Sequence, residues 1–494
     1  MNAVTGSGGK KTVLVVGAGP AGLTAALELT GRGHTVDVLE KDGEYVGGIA
    51  RTVEYKGYRF DIGGHRFFSK STEITQWWQK RLPEDFIKVR RLSRIFYQGK
   101  FFDYPLKAGN ALKNLGLITS TLCMLSYFRA QLFPVRPEKS FADWVINRFG
   151  SRLFLIFFKT YTEKVWGMSC HDISADWAAQ RIKGLSLLKA VWFALFPQSG
   201  RSGGGVVKTL IDAFEYPRLG PGMMWEKTRD DIQALGGRVH MGLEVLRVRH
   251  EGTRVTAVES RDRKGGIQEW PSDAFIVSMP LKELVLALDP PLPEPVRAAA
   301  TRLQYRDFLT VALMLRRKEL FPDNWIYVHD PAVKLGRIQN FNNWSPDLVP
   351  DRDTTCLGLE YFCFEGDGLW SMPDADLIAL GKRELVQLGL AREEEVFDGT
   401  VVRMPKSYPV YGPGYQEDVE QIRRALSGLD NLQAVGRNGM HKYNNQDHSM
   451  MTALLAARNL DGASYNVWQV NTDAEYHEEG TQQDAVGRLV PRAK

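Results

Sequence analysis

The chain has 494 residues, of which 44% are hydrophobic, 24% charged and 11% aromatic, an ordinary globular composition too long for one small core, so two or three lobes are expected. Lysine and arginine total 63 against 58 for aspartate and glutamate, a net charge of +5, which excludes the diffuse basicity of a nucleic-acid coat and argues against a nucleic-acid partner. The four cysteines, Cys123, Cys170, Cys356 and Cys363, show no CxxC and no His/Cys ligand spacing; neither a disulfide framework nor a metal site is expected, and a reducing, cytoplasmic location is.

The first ten residues are polar and Gly-rich, without the apolar core of a secretory signal. Thr12 to Val16 is a β-branched run leading into Gly17, Gly19 and Gly22, then Leu23 to Leu29 at helical spacing: strand, tight turn, helix. The glycines let the turn close, let backbone N–H groups approach a pyrophosphate and let the helix pack on its strand, while the helix N-terminus offers partial positive charge to the phosphates. A second strand, Thr35 to Leu39, ends in Glu40, about 20 residues on, where a ribose hydroxyl needs an acceptor. Dinucleotide binding follows. The pair Gly47-Gly48 with Arg51 shortly after is similar to the stretch that lies along the flavin in the large FAD families of glutathione reductase and amine oxidase, which favours FAD over NAD.

Next comes Asp61 to Ser69, two glycines (Gly63, Gly64) followed by His65 and a hydroxyl. Leu115 to Phe128 is the longest apolar stretch. Polar Thr119, Ser120, Thr121 and Ser126 leave it short of the roughly 20 residues that cross a bilayer, so it reads as a buried helix, with interfacial contact the lesser alternative and no integral membrane segment. Phe141 to Phe149, Leu153 to Phe158 and Leu188 to Phe196 make a helical lobe, and Ser199 to Gly205 a connector. Val239 to Val248 and Arg254 to Ser260 read as a hairpin about His250-Glu251-Gly252. Asp273 to Pro280 looks like a strand returning to the FAD domain. Thr310 to Leu315, Arg337 to Phe341 and Cys356 to Phe364 suggest a second sheet, and Leu432 to Val435 and Leu454 to Leu460 a final strand and helix.

The expected fold is α/β: a discontinuous Rossmann-like FAD-binding domain of the glutathione-reductase type (10–95, 205–285 and 425–470), an inserted helical substrate lobe (105–204), an antiparallel sheet lobe (286–424 with 96–104) and a tail (471–494). Several residues between these pieces are candidates for chemistry. Trp325 and Tyr327, two apart, share one face of a strand. Arg337 suits bidentate contact with a diphosphate. The polar loop Gly436, Arg437, Tyr443, Asn445, Gln446 is a good ligand cradle. For each a plain structural role also stands: an exposed loop histidine, core aromatics, a surface arginine, helix caps. A Ser/His/Asp hydrolase is not expected, because no GxSxG occurs and Asp447, His448 and Ser449 are neighbours in sequence.

Together these points resemble the UDP-galactopyranose mutases, the eukaryotic-type branch in particular, within the FAD-dependent amine oxidase and protoporphyrinogen oxidase superfamily. The resemblance runs through the fingerprint, the GGH loop with His65 and Ser69, Gln98 to Pro105, Lys164 to Trp166, and Trp177 with Arg181. It continues through Gly220 to Trp225, Trp325 with Tyr327, Arg337, Asn343 to Pro346, Tyr408-Pro409 and Gly436 to Ser449. It implies an FAD-dependent isomerase that interconverts pyranose and furanose rings of a nucleotide sugar through a sugar adduct at N5 of reduced FAD, with NAD(P)H a candidate reductant and a homo-oligomer a candidate assembly. By the resemblance, His65, Arg181 and Arg337 serve catalysis. Tyr104, Trp166, Trp325, Tyr327, Tyr408, Tyr443 and Asn445 bind substrate. Gly17, Gly19, Gly22, Glu40, Gly48, Arg51, Gly64, Gly436, Arg437 and Gln446 hold FAD. Thr162 and Lys107 stand where the family carries amides, so base and sugar are left open. The alternative class is an FAD-dependent oxidase or desaturase of the amine oxidase or protoporphyrinogen oxidase type, whose apolar or amine substrate does not require the Arg and Tyr collection.

Overall fold

The computed structural model describes residues 9–175 and 213–471. Its organising element is a parallel sheet in the order Leu432–Ala434, Ala274–Val277, Thr12–Val16, Thr35–Glu40, Arg238–Met241. Thr12–Val16 sits at the centre, paired with Ala274–Val277 on one side and Thr35–Glu40 on the other. Both faces of a parallel sheet must be covered, which explains why its inner strands, Thr12–Val16 and Ala274–Val277, read as apolar runs. Helices Pro20–Gly31, Gly222–Ala234 and Gln446–Leu460 pack on one face through Leu23, Trp225 and Met450. Helices Leu281–Ala287, Glu294–Arg302 and Tyr415–Leu426 cover the other through Leu284, Ala299 and Ile422.

The expected FAD domain is thus assembled from distant parts of the chain, with a Rossmann-like α/β core and further sheets. One expected strand divides. Val239 to Val248 is two strands, Arg238–Met241 in the parallel sheet and Glu244–Glu251 in a four-stranded sheet, because Gly242 takes a left-handed φ of 74° between them. The hairpin Glu244–Glu251 to Arg254–Arg261 is present as expected. The last helix begins at Gln446, eight residues before the apolar run that announced it, its first turn being polar.

The second sheet has seven strands in the order Val396–Pro409, Tyr305–Leu315, Thr355–Cys363, Arg337–Asn340, Trp325–Val328, Ser93–Tyr97, Lys100–Asp103. Every residue of Tyr305–Leu315 and Thr355–Cys363 is buried. The helical lobe follows it: Ala108–Leu132, Phe141–Phe149, the π-helical turn Phe154–Lys159 and Thr160–Trp166. Two cations stitch lobe to sheet. Lys164 Nζ donates to the carbonyls of Val328, Asp330 and Leu335 at 3.2, 2.7 and 2.9 Å, and Arg306 donates to those of Lys164, Val165 and Phe362. Burial lowers the Lys164 pKa to about 8.

The apolar stretch within Ala108–Leu132 is helical but not buried as expected. Leu117 is 87% and Ile118 80% exposed, because the helix lies on the lobe through its other face, where Ser120, Cys123, Tyr127 and Ala130 are buried. Leu188 to Phe196, Ser199 to Gly205, Trp177 and Arg181 fall outside the described residues.

Candidate functional site

A cavity of about 620 Å³ opens at the carboxyl ends of the central parallel strands, lined by Val16, Gly17, Leu39, Glu40, Ser278 and Gly436 among others. This is the topological switch point of the sheet, where successive strands depart to opposite sides of Thr12–Val16 and leave a crevice. The three fingerprint glycines have different reasons to be glycine. Gly17 has a φ of 95°, and a Cβ there would stand 2.4 Å from Ser278 Oγ. A Cβ on Gly22 would stand 1.8 Å from the Gly17 carbonyl oxygen, so helix and strand meet only with glycine. Gly19 has ordinary dihedrals (φ −78°, ψ −177°) and no protein atom within 4 Å of such a Cβ. Nothing in the protein requires glycine there, whereas a ligand passing over the N-terminus of Pro20–Gly31 does.

Glu40 accepts from the Ala18 and Asp42 N–H groups at 2.6 and 2.8 Å, and burial raises its pKa despite both donors. Gly48, Arg437 and Gln446 line the same cavity, as does Asn438. Gln446 Oε1 and Asn438 Oδ1 are buried without a hydrogen-bond partner, acceptors placed for a ligand's donors. The residues present therefore fit a flavin dinucleotide. Two expected cofactor residues lie outside this lining. Arg51 turns aside to an ion pair with Asp42 and lies 4.9 Å from the Tyr45 ring. Gly64 makes room for the Trp344 ring, 3.1 Å from where its Cβ would be.

The loop after Tyr58–Asp61 carries His65 into the cavity lining. It is pinned to the last helix by Ser69 Oγ donating to Asp447 at 2.9 Å and Gln446 Nε2 donating to the Arg66 carbonyl at 3.1 Å. His65 Nδ1 lies 3.1 Å from the Gly63 carbonyl. Burial first, and then the positive charges of Arg437 and Arg337, lower its pKa to about 3, so the imidazole is neutral.

Asp61, at the root of this loop, accepts from Tyr216 Oη at 2.6 Å and Thr52 Oγ1 at 3.1 Å. Burial outweighs both donors and pushes its pKa up to about 8. The native state therefore holds this proton more tightly than the unfolded chain. The stabilisation is complete below the ordinary carboxylate range and is lost as pH rises through about 8. Asp61→Asn is expected to flatten the decline of thermal stability across that window. Parallel curves of unfolding temperature against pH for the two proteins would contradict a raised Asp61.

Beyond His65 the large sheet gathers the remaining groups. Arg337 Nε donates to Glu360, which also accepts from Gln339 Nε2 at 2.8 Å. Burial, the largest single influence, disfavours the Arg337 cation, yet Glu360 together with Tyr161, Tyr408 and Tyr327 holds the pKa well above the usual guanidinium value. Burial pushes the Tyr161 phenol well above the ordinary range, and raises Tyr408 too. The Tyr327 ring packs 4.9 Å from Tyr104 and 5.4 Å, edge-on, from Tyr161. Tyr408 and Tyr443 stack at 5.7 Å, with the Arg437 guanidinium 5.6 and 4.9 Å from their centroids. Trp325 stacks on Trp344 at 5.5 Å, and the guanidinium groups of Arg66 and Arg91 each lie 5.4 Å from it. The result is a cluster of phenols and cations beside His65 and Arg437, which line the cavity.

Most expected substrate residues thus converge, and some do not. Trp166 is buried in the core of the helical lobe and stacks on Tyr411 at 6.4 Å. Asn445 caps Gln446–Leu460, its N–H bonded to His448 Nδ1 at 3.3 Å. Lys107 is exposed and pairs with Asp103. Sequence reasoning missed Tyr161, Glu360, Arg66 and Arg91. A carboxylate in the apolar run Cys356 to Phe364 was a readable signal for Glu360, since a charge buried in a central strand needs a cation.

Residues 20–459 match the family described as flavin containing amine oxidoreductase. The chain belongs to that family. A flavin cofactor goes with this membership. Among relatives, the chain is 25% identical over 335 residues to the L-amino acid oxidase bordonein-L of Crotalus durissus terrificus, covering 64% of the chain and 60% of that oxidase. Its fold is similar to that of a reduced UDP-galactopyranose mutase, with a TM-score of 0.78, 20% identity and coverage of 97% of this chain and 99% of the other. It is also similar to cyclohexylamine oxidase from Brevibacterium oxydans, with a TM-score of 0.62, 13% identity and coverage of 92% and 99%.

Proposed function

We propose that this amine oxidoreductase family member is a flavin-dependent nucleotide-sugar mutase, interconverting pyranose and furanose rings. The observation that carries the reading is the cluster around Arg337. A buried guanidinium with three phenols about it, and Arg437 close by, matches a diphosphate, whose oxygens accept from both kinds of donor. An aliphatic amine, cationic at neutral pH, would be repelled by the same pair. Reduced FAD, held by the residues lining the cavity, would supply a nucleophilic nitrogen for the anomeric carbon.

The chain's own residues do the rest. Arg337, oriented by Glu360, and Arg437 offset the charge of the departing diphosphate. Tyr161 and Tyr408, kept protonated by burial, remain donors through neutral pH, and Tyr327 presents a third hydroxyl beside them. His65 stays neutral, so it exchanges hydrogen bonds beside the flavin without adding charge. Trp325 and Tyr104 wall the sugar and nucleotide sides and keep water out.

The similarity to L-amino acid oxidases favours a second reading, an FAD-dependent oxidase, in which Arg337 would receive a substrate carboxylate. One experiment separates them. The holoenzyme is reduced with dithionite, titrated with nucleoside diphosphates and screened against nucleotide sugars, with products resolved by chromatography. The mutase reading expects tighter binding after reduction and a ring-isomer product. Unchanged affinity, with an amine or amino acid driving oxygen consumption, would overturn it in favour of the oxidase.

A further inference from the structure

The helix Ala108–Leu132 is broken at Gly116, whose φ of 78° and ψ of 168° suit glycine alone, and the segment after the break turns an apolar face outward. Leu117, Ile118, Leu122, Leu125, Phe128 and Leu132 are between 37% and 87% exposed. At about 100° per residue they fall on one arc of roughly 140°, interrupted only by Thr121 and Arg129. Phe133 and Val135, also exposed, extend the patch past the helix end. Its area, on the order of 10³ Å², exceeds the few hundred that a monomer ordinarily leaves in one patch. Its charge is one-sided. From Tyr104 through Pro137 the chain has Lys107, Lys113, Arg129 and Arg136 and no acidic residue.

We propose that this face is a docking surface for an anionic phospholipid bilayer, with the Leu117-to-Leu132 segment lying in the plane of the interface. Among the described residues no helix is long and apolar enough to cross a membrane, and at 1.5 Å per residue this segment spans only about 24 Å, so it lies in the interface rather than through it. A second copy fits less well, since a two-fold contact would set Lys113, Arg129 and Arg136 against their own counterparts. Anionic headgroups neutralise them. The first turn of the same helix begins four residues after Tyr104, whose ring packs on Tyr327.

The test is co-sedimentation of the FAD-loaded full chain with vesicles of phosphatidylcholine alone and of phosphatidylcholine with phosphatidylglycerol, alongside light scattering to fix its mass without lipid. The native protein is expected to pellet with the anionic vesicles and to be released by salt. Ile118→Glu with Leu125→Glu is expected to lower partitioning by about tenfold or more, and Lys113→Glu with Arg129→Glu to remove the preference for phosphatidylglycerol. Because these side chains are exposed, flavin absorbance and unfolding temperature should be unchanged; Leu117→Ser is a milder variant on the same face should the double one fold poorly. Native protein left in the supernatant with both vesicles, or pelleting equal in native and Leu117→Ser or double-variant protein, would overturn the proposal. So would a native dimer that the same substitutions convert to monomer, which would assign the face to a second copy.

Discussion

Gly19→Val is expected to yield a folded, colourless protein. The valine Cβ meets no protein atom within 4 Å and the backbone at residue 19 is already in a region open to any residue. The fold should therefore accept it, with unfolding temperature close to that of native apoprotein. The added side chain instead stands over the N-terminus of Pro20–Gly31, where it separates backbone N–H groups and helix dipole from the pyrophosphate. Loss of about 3 kcal/mol there corresponds to roughly a hundredfold weaker FAD binding. Flavin absorbance per protein after gel filtration reads the result, and full yellow occupancy would remove Gly19 from the cofactor site. Gly22→Val is the contrasting case. Its Cβ would collide with the Gly17 carbonyl, so it should fail as a folded protein rather than as a holoenzyme.

The second large effect is at Arg337, and it needs two variants to be read. Arg337→Met leaves Glu360 buried and fully enclosed with its principal cation gone, a loss on the order of 3–5 kcal/mol in stability. Weak substrate binding in that protein would say little. Adding Glu360→Gln removes the orphaned charge, and the double variant is expected to recover most of the lost stability while retaining flavin. Affinity of the reduced double variant for a nucleoside diphosphate should remain about a hundredfold below native, since a bidentate charge-assisted contact is missing. Calorimetric titration with thermal unfolding on the same samples gives both numbers. Native affinity in the double variant would take Arg337 out of the substrate site and leave the pair a purely structural one.

The legible parts of this protein were those where one residue type answers one local demand. Thr12 to Val16 with its glycines announced the switch-point crevice, and the spacing of Trp325, Tyr327 and Arg337 placed three side chains on neighbouring strands that do meet. What stayed hidden depends on distant pieces of chain. Val239 to Val248 has one continuous β pattern, yet its halves join different sheets, a choice made by Thr35–Glu40 on one side and Arg254–Arg261 on the other. Trp166 and Tyr161 are five residues apart in the lobe, but only the structure shows that Tyr161 reaches Arg337 while Trp166 serves the lobe core. The exposed helix was misread for a related reason. Apolar composition says that a face must be covered, not what covers it.

The pinning of the His65 loop to Asp447 and Gln446 also bears on how the protein is made. Glu40 and the fingerprint glycines are synthesised long before Gly436, Arg437 and Gln446, which border the same crevice. A nascent chain stopped before the last strand would present a phosphate-binding turn with no wall opposite it. Cofactor retention therefore depends on residues more than 380 positions from the fingerprint, and a chain truncated before Gly436 is expected to bind flavin poorly while retaining every residue of the N-terminal turn.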